Sequence, residues 1–260
     1  MEDLENMDNY DDIFQNNDDG IGDNVRLDDD TIRDHAIHDE KYDKFLVPIY
    51  LTENEESSLN GNGVIVDKYL ITAAHVAYGK KDKKKIPELF YKFNGEWCKV
   101  SDNMLVHDGR EVPDKGDIHD DLIIYELEQN YDSFMFCEDD WFINTKLGSY
   151  LHLRTYKYDE QKNVIISDDN NFPIISYTVA FTPQKKWNNC FTIDNIYELE
   201  HGNSGSALTI NNVLYGILVS VILPADKQIR NCRIGYAVMN AVYIKEIITK
   251  KNKKQNLTNE

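Results

Sequence analysis

The sequence predicts an all-β fold class built from short antiparallel strands, arranged as barrels or sandwiches. Several apolar runs have the length of a strand, are rich in β-branched and aromatic residues, and are bounded by clusters of Gly, Asn, Asp or Lys. No long helical stretch separates these runs, which argues against an alternating α/β sheet. The runs are residues 45–51, 63–66, 69–72, 122–125, 177–181, 213–219 and 234–238.

The size and composition of the chain are compatible with this fold class. A chain of 260 residues can bury one large core or two small ones. Hydrophobic residues make up 41% of the chain, and Gly and Pro occur only 13 and 6 times, which excludes a collagen-like or low-complexity protein.

The negative charge of the chain is concentrated at the N-terminus. The net charge is −18, and residues 1–45 contain sixteen acidic and four basic residues, a net charge of −12. A segment this polar buries too little surface to offset its ordering entropy, so we expect residues 1–44 to be largely disordered. A nucleic-acid-binding protein needs a large basic face, so we expect no nucleic-acid partner.

The N-terminus and the cysteines indicate a reducing compartment. Met1 is followed by acidic residues rather than by a basic and then apolar run, and no stretch approaches the roughly 18 apolar residues of a membrane span. We therefore expect an intracellular protein with no membrane partner. Because Cys98, Cys137, Cys190 and Cys232 are scattered and form no CxxC pair, we expect reduced thiols, no metal site and no cofactor.

The first segment that indicates chemistry is residues 63–76. It reads as a hairpin, with a strand, a turn at Asp67 and Lys68, and a second strand that ends in Ala73, Ala74 and His75. The two small residues permit a tight turn that projects His75 into a cleft. A single histidine is more often structural, so this interpretation depends on the segments that follow.

An acidic residue precedes the apolar strand 122–125. A buried carboxylate in this position can orient a histidine and stabilise its charged form. Asp121 directly adjoins the apolar run and is the preferred candidate, with Asp114, Asp117 and Asp120 as alternatives.

Glycines flank a serine in residues 202–207, whose sequence is Gly-Asn-Ser-Gly-Ser-Ala. Such a loop can present the Ser204 hydroxyl and point successive N–H groups at one spot. The amides of Gly202 and Ser204 are therefore the predicted oxyanion donors. An ordinary turn of Gly, Asn and Ser is the alternative.

The C-terminal segment predicts the clearest helix. Ala241, Ile244 and Ile248 recur at helical spacing, and cations follow from Lys245 to Lys254, where the helix dipole favours them. We expect this helix to pack on the body of the protein.

Together, three segments resemble the chymotrypsin-like (trypsin-like) serine peptidase family. Residues 70–76 (LITAAHV) resemble its histidine motif, residues 121–127 (DLIIYEL) its aspartate motif, and residues 201–207 (HGNSGSA) its nucleophile motif, in the expected order. The resemblance implies two antiparallel six-stranded β-barrels with the active site between them. The implied domains are 45–140 with His75 and Asp121, 141–238 with Ser204, and a C-terminal helix and basic tail at 239–260.

The resemblance also implies an activity. It implies a serine endopeptidase that hydrolyses protein or peptide substrates through a His75–Asp121–Ser204 triad and an acyl-enzyme intermediate. A catalytically degenerate trypsin-like domain that binds proteins is the alternative. Val76 stands where secreted animal members have a cysteine, and Asn203 stands where zymogen-type members have an aspartate. Both differences favour the non-zymogen bacterial or viral type, and a virus-encoded member would act in the cytoplasm of a host cell.

Substrate choice also follows only from the resemblance. Glu198, six positions before the nucleophile, would lie at the base of the S1 pocket and favour a basic P1 residue, or would lie exposed at the pocket rim. Arg33 and Lys44 would then be self-cleavage sites in the acidic segment. The strand expected to pair with substrate backbone contains Leu218, Val219 and Ser220.

Overall fold

The computed structural model describes most of the chain between residues 40 and 258. All of these residues lie in one compact unit, His35–Glu260. The described residues are 40–53, 59–79, 84–109, 120–138, 150–159, 161, 163–167, 171–176, 179–182, 185–187, 189–194, 199, 202–222 and 235–258.

The first half of the described chain forms one antiparallel sheet. Its seven strands lie in the order β5-β4-β1-β2-β3-β7-β6, and the sheet curves into a half-barrel. The strands are β1 (Leu46–Tyr50), β2 (Gly61–Val66), β3 (Tyr69–Ala73), β4 (Glu88–Phe93), β5 (Glu96–Ser101), β6 (Leu105–Asp108) and β7 (Leu122–Glu126).

The second half forms a closed barrel. Six strands pair around a ring in the order β9-β11-β14-β17-β16-β15, and β15 pairs back with β9. The ring strands are β9 (Tyr150–Tyr158), β11 (Asn171–Ser176), β14 (Cys190–Ile193), β15 (Ala207–Ile210), β16 (Val213–Ile222) and β17 (Gly235–Asn240). Outside the ring, β8 (Met135–Phe136) pairs with β16, β10 (Val164–Ser167) pairs with β9, and β12 (Val179–Thr182) pairs with β13 (Lys185–Trp187).

The predicted all-β fold with two barrels and a C-terminal helix is confirmed. The two barrels differ in closure, because the described strand pairings close only the second one into a ring. One hydrophobic core runs through both sheets, and its largest fully buried side chains include Tyr125, Phe172 and Phe191. Burial of each such side chain contributes about 1.5–3 kcal/mol.

The predicted hairpin before the histidine is present. Strands β2 and β3 pair from Val64↔Ile71 to Val66↔Tyr69 and are joined by the two-residue turn at Asp67 and Lys68. Asp67 has a φ of +52°, a left-handed conformation that aspartate tolerates better than most residues. The hairpin therefore places the end of β3, and with it His75, at a fixed position.

The C-terminal helix α1 spans Ala241–Thr258. Its start is capped by Asn240, whose Oδ1 accepts a hydrogen bond from the Val242 N–H at 2.9 Å. Ala241, Ile244 and Ile248 are buried, as their spacing predicts. Among the described residues, no helix is both long and apolar enough to cross a membrane.

A short 3-10 helix begins inside the segment that was expected to be disordered. It spans Glu40–Phe45, and its Tyr42 is buried against Phe134 at a ring-centroid distance of 5.5 Å. Lys44 lies in this helix, so the proposed self-cleavage site at Lys44 is part of the folded body. Aromatic burial overrides the polar composition here. The other site, Arg33, lies outside the described residues.

Candidate active site

His75 lies immediately after β3, in a short 3-10 helix that spans Ala74–Ala77. Ala73 and Ala74 are fully buried. Because alanine carries only a methyl group, the chain turns off the sheet without displacing the packed core. The His75 side chain stays 34% exposed, so its ring is accessible to solvent and to a substrate.

Asp121 lies just before β7, and the pairing of β7 with β3 brings its carboxylate to the histidine. Its Oδ1 accepts a hydrogen bond from the His75 backbone N–H at 2.8 Å, and its Oδ2 lies 2.5 Å from His75 Nδ1. An ionised carboxylate can only accept hydrogen bonds, so Nδ1 carries the proton. In the neutral imidazole, Nε2 is then the acceptor.

Ser204 completes the cluster from the second barrel. Its Oγ lies 2.7 Å from His75 Nε2. Because Nε2 is the acceptor, the Ser204 hydroxyl donates its proton towards the ring. The structure therefore brings together the three residues that were predicted as a triad, in the geometry that general-base activation of a hydroxyl requires.

Asp120 is held by a different pair of partners. Its Oδ1 lies 2.9 Å from His107 Nε2, and its Oδ2 accepts a hydrogen bond from the Tyr243 hydroxyl. Burial and the hydrogen bond to Asp120 raise the pKa of Tyr243, so this phenol stays protonated and donates. Asp120 is therefore not positioned to orient His75. The other sequence alternatives, Asp114 and Asp117, lie outside the described residues.

The two glycines beside the serine shape the loop that carries it. Gly202 and Gly205 have φ values of +104° and +84°, which L side chains rarely adopt. A Cβ at Gly205 would lie 1.9 Å from the carbonyl oxygen of Asn62. Glycine is therefore required at Gly205 both for the backbone conformation and for the close approach of β2.

The predicted oxyanion donors are the N–H groups of Gly202 and Ser204. Neither group donates to another residue in the part of the chain that the structure describes. The next N–H, that of Gly205, donates to the Leu218 carbonyl at 2.7 Å. Gly202 and Ser204 thus keep two backbone donors next to the serine hydroxyl.

Val76 takes the place of the cysteine that secreted animal members have after the histidine. A Cβ at Gly61, at the start of β2, would lie 2.5 and 2.9 Å from the two methyl carbons of Val76. The valine therefore packs directly on glycine backbone. Apolar packing by Val76 therefore holds the histidine segment against β2.

The strand predicted to bind substrate continues past its neighbour. β15 pairs with β16 only as far as Ile217, whereas β17 continues alongside to Ile222. Leu218 is hydrogen-bonded to residues 202–206, the nucleophile loop. Its N–H donates to the Ser206 carbonyl at 2.9 Å, and its carbonyl accepts from the Gly205 N–H. A β-bulge follows at Val219, where bulges commonly redirect a strand near an active site. Of the predicted binding residues, Val219 and Ser220 lie beyond Leu218 in β16, and Glu198 lies outside the described residues.

Three of the four cysteines lie in the described part of the chain, and all three are free thiols. Cys98, Cys137 and Cys190 form no disulfide with one another. Burial raises the pKa of the Cys98 and Cys190 thiols, which keeps both protonated at neutral pH. Cys232 lies outside the described residues. Within the described part of the chain, no group of three His, Cys, Asp or Glu side chains could hold a metal ion.

Several residues beside the triad were not found from the sequence. Asn62 and Thr155 are buried under the nucleophile loop, and His107 and Tyr243 hold Asp120. None belongs to a recognisable motif. Each contacts the site from a distant part of the chain, so no local pattern could identify it.

Comparisons with known proteins identify the fold. Kallikrein-related peptidase 10 matches with a TM-score of 0.50 and 17% identity, over 80% of this chain and 94% of that protein. A scabies mite inactivated protease paralogue matches with a TM-score of 0.51 and 16% identity, over 83% and 99%. An HtrA-type protease solved with a tripeptide matches with a TM-score of 0.50 and 19% identity, over 78% and 58%.

At these identities the likeness shows the chymotrypsin fold and nothing finer. No protein-family model and no curated protein matches the sequence. Because the matched structures include both a peptidase and an inactivated paralogue, the fold alone does not decide whether a chain is catalytic. That question depends on the site residues.

Proposed function

We propose that this chain is a serine endopeptidase in which His75, Asp121 and Ser204 form the catalytic triad. The observation that carries the proposal is the position of the His75 ring, with Nδ1 2.5 Å from the Asp121 carboxylate and Nε2 2.7 Å from the Ser204 hydroxyl. A nucleophile, a base and an orienting acid in consecutive hydrogen-bond contact can activate an otherwise weak hydroxyl.

The geometry supports a two-step acyl transfer. Ser204 Oγ attacks the carbonyl carbon of the scissile peptide while His75 Nε2 takes the hydroxyl proton, and the Asp121 carboxylate stabilises the imidazolium that forms. The carbonyl oxygen becomes an oxyanion, which accepts hydrogen bonds from the N–H groups of Gly202 and Ser204. The tetrahedral intermediate then breaks its C–N bond, and His75 gives its proton to the leaving amine.

The second step regenerates the enzyme. Water attacks the ester carbonyl of the acyl-enzyme, with His75 again taking a proton, and the C–O bond to Ser204 breaks as the hydroxyl recovers its proton. Both steps use the same base and the same oxyanion donors, so one arrangement of side chains serves both.

Substrate backbone is proposed to bind along β16, beyond the end of β15. An extended peptide that adds as a strand at Val219 and Ser220 would lie next to the nucleophile loop, because Leu218 is hydrogen-bonded to that loop. A basic P1 side chain is proposed to meet Glu198. This specificity rests on the resemblance alone.

The experiment that tests the function is labelling with a serine-directed fluorophosphonate. The wild-type protein is expected to label and to cleave an unfolded protein substrate, and Ser204→Ala is expected to do neither while keeping the wild-type melting temperature. Ser101→Ala, which changes a serine in β5 whose hydroxyl donates to Asn103, is the matched control and should label normally.

Two results would contradict the proposal. Cleavage by the Ser204→Ala protein at the wild-type rate would remove Ser204 from the mechanism. A folded wild-type protein that neither labels nor cleaves would leave the alternative, a trypsin-like domain that binds proteins without catalysis.

A further inference from the structure

Four buried polar side chains lie in or beneath the nucleophile loop. Asn62, Thr155, Asn203 and Ser206 are 2%, 2%, 3% and 1% exposed. Burial of a polar side chain costs stability unless its hydrogen bonds are made, so a cluster of four must be satisfied internally. These four residues, the loop network, come from β2, β9 and the loop itself.

Three of these side chains close a ring of hydrogen bonds. Asn203 Nδ2 donates to Thr155 Oγ1 at 2.8 Å. The Ser206 hydroxyl lies 2.6 Å from Thr155 Oγ1 and donates to the Asn203 carbonyl at 2.5 Å. The ring thus starts at the side chain of Asn203 and returns to its main chain, which fixes both relative to β9.

Asn62 connects this ring to the first sheet. Its Nδ2 donates to the Gly202 carbonyl at 2.6 Å and to Thr155 Oγ1 at 3.2 Å, and its Oδ1 accepts from the Tyr156 N–H at 2.6 Å. Its backbone N–H donates to the Ser204 carbonyl at 2.7 Å. One residue of β2 therefore holds the loop at two points and contacts both Thr155 and Tyr156 of β9.

These bonds fix three consecutive peptide planes. The carbonyls of Gly202, Asn203 and Ser204 accept hydrogen bonds from the Asn62 side chain, the Ser206 hydroxyl and the Asn62 backbone, respectively. A peptide group is planar, so fixing the Asn203 carbonyl also fixes the direction of the Ser204 N–H. That N–H is one of the two proposed oxyanion donors.

We propose that Asn62 is a positioning residue for the oxyanion donors, an inference that rests on the proposed peptidase function. Its side chain holds the peptide plane between Gly202 and Asn203, which lies between the two planes that carry the Gly202 and Ser204 N–H groups. All four members of the loop network are neutral, so the hydrogen bonds among them hold the loop without an ion pair between members. A preorganised donor contributes mainly to the transition state, because the oxyanion exists only there. Loss of Asn62 therefore lowers kcat and leaves KM nearly unchanged.

The test uses Asn62→Asp in the full chain. Ionised aspartate keeps the acceptor for the Tyr156 N–H but places an oxygen, in place of Nδ2, against the carbonyls of Gly202 and Tyr156. Because a protonated carboxyl group could still donate to the Gly202 carbonyl, kcat is also measured at alkaline pH, which favours the ionised form. We expect kcat on a small ester to fall on the order of 10²–10³-fold, the cost of losing one oxyanion donor. Asn103→Asp is the matched control, since Asn103 is exposed and accepts a hydrogen bond from Ser101 that aspartate can retain.

A second measurement separates positioning from general loosening of the fold. A peptide aldehyde forms a tetrahedral adduct with an oxygen in the oxyanion site, so its affinity should fall by the same factor as kcat/KM. The affinity of an unreactive peptide for the Ser204→Ala protein should be the same with and without Asn62→Asp. An equal loss of affinity for both ligands would overturn the positioning role.

The remaining outcomes distinguish this inference from the proposed function. If the wild type does not label with the fluorophosphonate, the proposed function fails. If the wild type is active and Asn62→Asp retains its kcat, only the inference fails. Should Asn62→Asp lose its melting transition, Asn62→Ala decides, because it removes Nδ2 without placing a carboxylate in the buried loop network. A folded Asn62→Ala protein with wild-type kcat overturns the inference.

Discussion

The Asp121→Asn substitution exchanges one carboxylate oxygen for an NH2 group at constant size. In the structure, Oδ1 accepts from the His75 backbone N–H, so that position must remain an oxygen. The new NH2 group then faces His75 Nδ1 in place of Oδ2. Because NH2 can only donate, Nδ1 becomes the acceptor and Nε2 carries the proton. Nε2 then presents N–H to the Ser204 hydroxyl and cannot take its proton.

The expected loss is large. A wrong tautomer of this kind lowers kcat on the order of 10⁴-fold, which corresponds to about 5.4 kcal/mol of transition-state stabilisation. Substrate binding should change little, because Asp121 is 8% exposed and lies behind the imidazole. The loss is therefore expected in kcat and not in KM.

The assay is steady-state hydrolysis of a small ester, combined with the rate of fluorophosphonate labelling. Asp120→Asn is the matched control, because Asp120 contacts His107 and Tyr243. It should keep activity within about tenfold of wild type and lose about 1–3 kcal/mol of stability. An Asp121→Asn enzyme within tenfold of wild type, or a reversed order of the two variants, would refute the reasoning.

Three further predictions follow from packing and from the resemblance. Gly205→Ala should lower the melting temperature far more than Gly95→Ala. Both glycines have positive φ, but only a Cβ at Gly205 would lie against backbone. Equal decreases in melting temperature for the two variants would contradict this. Ile244→Ala, at a fully buried position of α1, should cost about 2–5 kcal/mol in denaturant unfolding, whereas the exposed Lys250→Ala should cost almost nothing. Glu198→Gln should weaken a basic P1 preference in a peptide library without lowering the rate of hydrolysis of a small ester. A wild-type preference for Gln, Glu or an apolar P1 residue would place Glu198 outside the S1 pocket.

Local sequence predicts the elements whose structure depends on neighbouring residues. The hairpin of β2 and β3 was predicted because its strands are apolar and joined by a two-residue turn, and the helix α1 because Ala241, Ile244 and Ile248 repeat at helical spacing. The Gly-Asn-Ser-Gly loop was predicted because glycine is the residue that tolerates positive φ. In each case the physical cause acts over a few residues.

The hairpin of β4 and β5 shows how a local signal was missed. Its strands mix apolar and charged residues, and most residues of β5 are partly or fully exposed. No apolar run therefore marks this hairpin in the sequence. The turn between them, Asn94-Gly95, has φ values of +51° and +83° and is a strong hairpin signal in sequence. Half-exposed strands such as β4 and β5 contain no continuous apolar run, and here the turn residues identify the hairpin better than hydrophobicity does.

The sequence by itself determined the fold class, the candidate histidine and serine, and a short choice of acids. Local sequence preferred Asp121 because it adjoins the apolar run, and the tertiary structure supports that choice, because Asp121 contacts His75 whereas Asp120 contacts His107 and Tyr243. The tertiary structure alone revealed Asn62, whose amide bonds the Gly202 carbonyl 140 positions away. Contacts of this kind depend on how the two sheets pack together. Pairing across such distances leaves no periodicity in the chain, whereas strands and turns do.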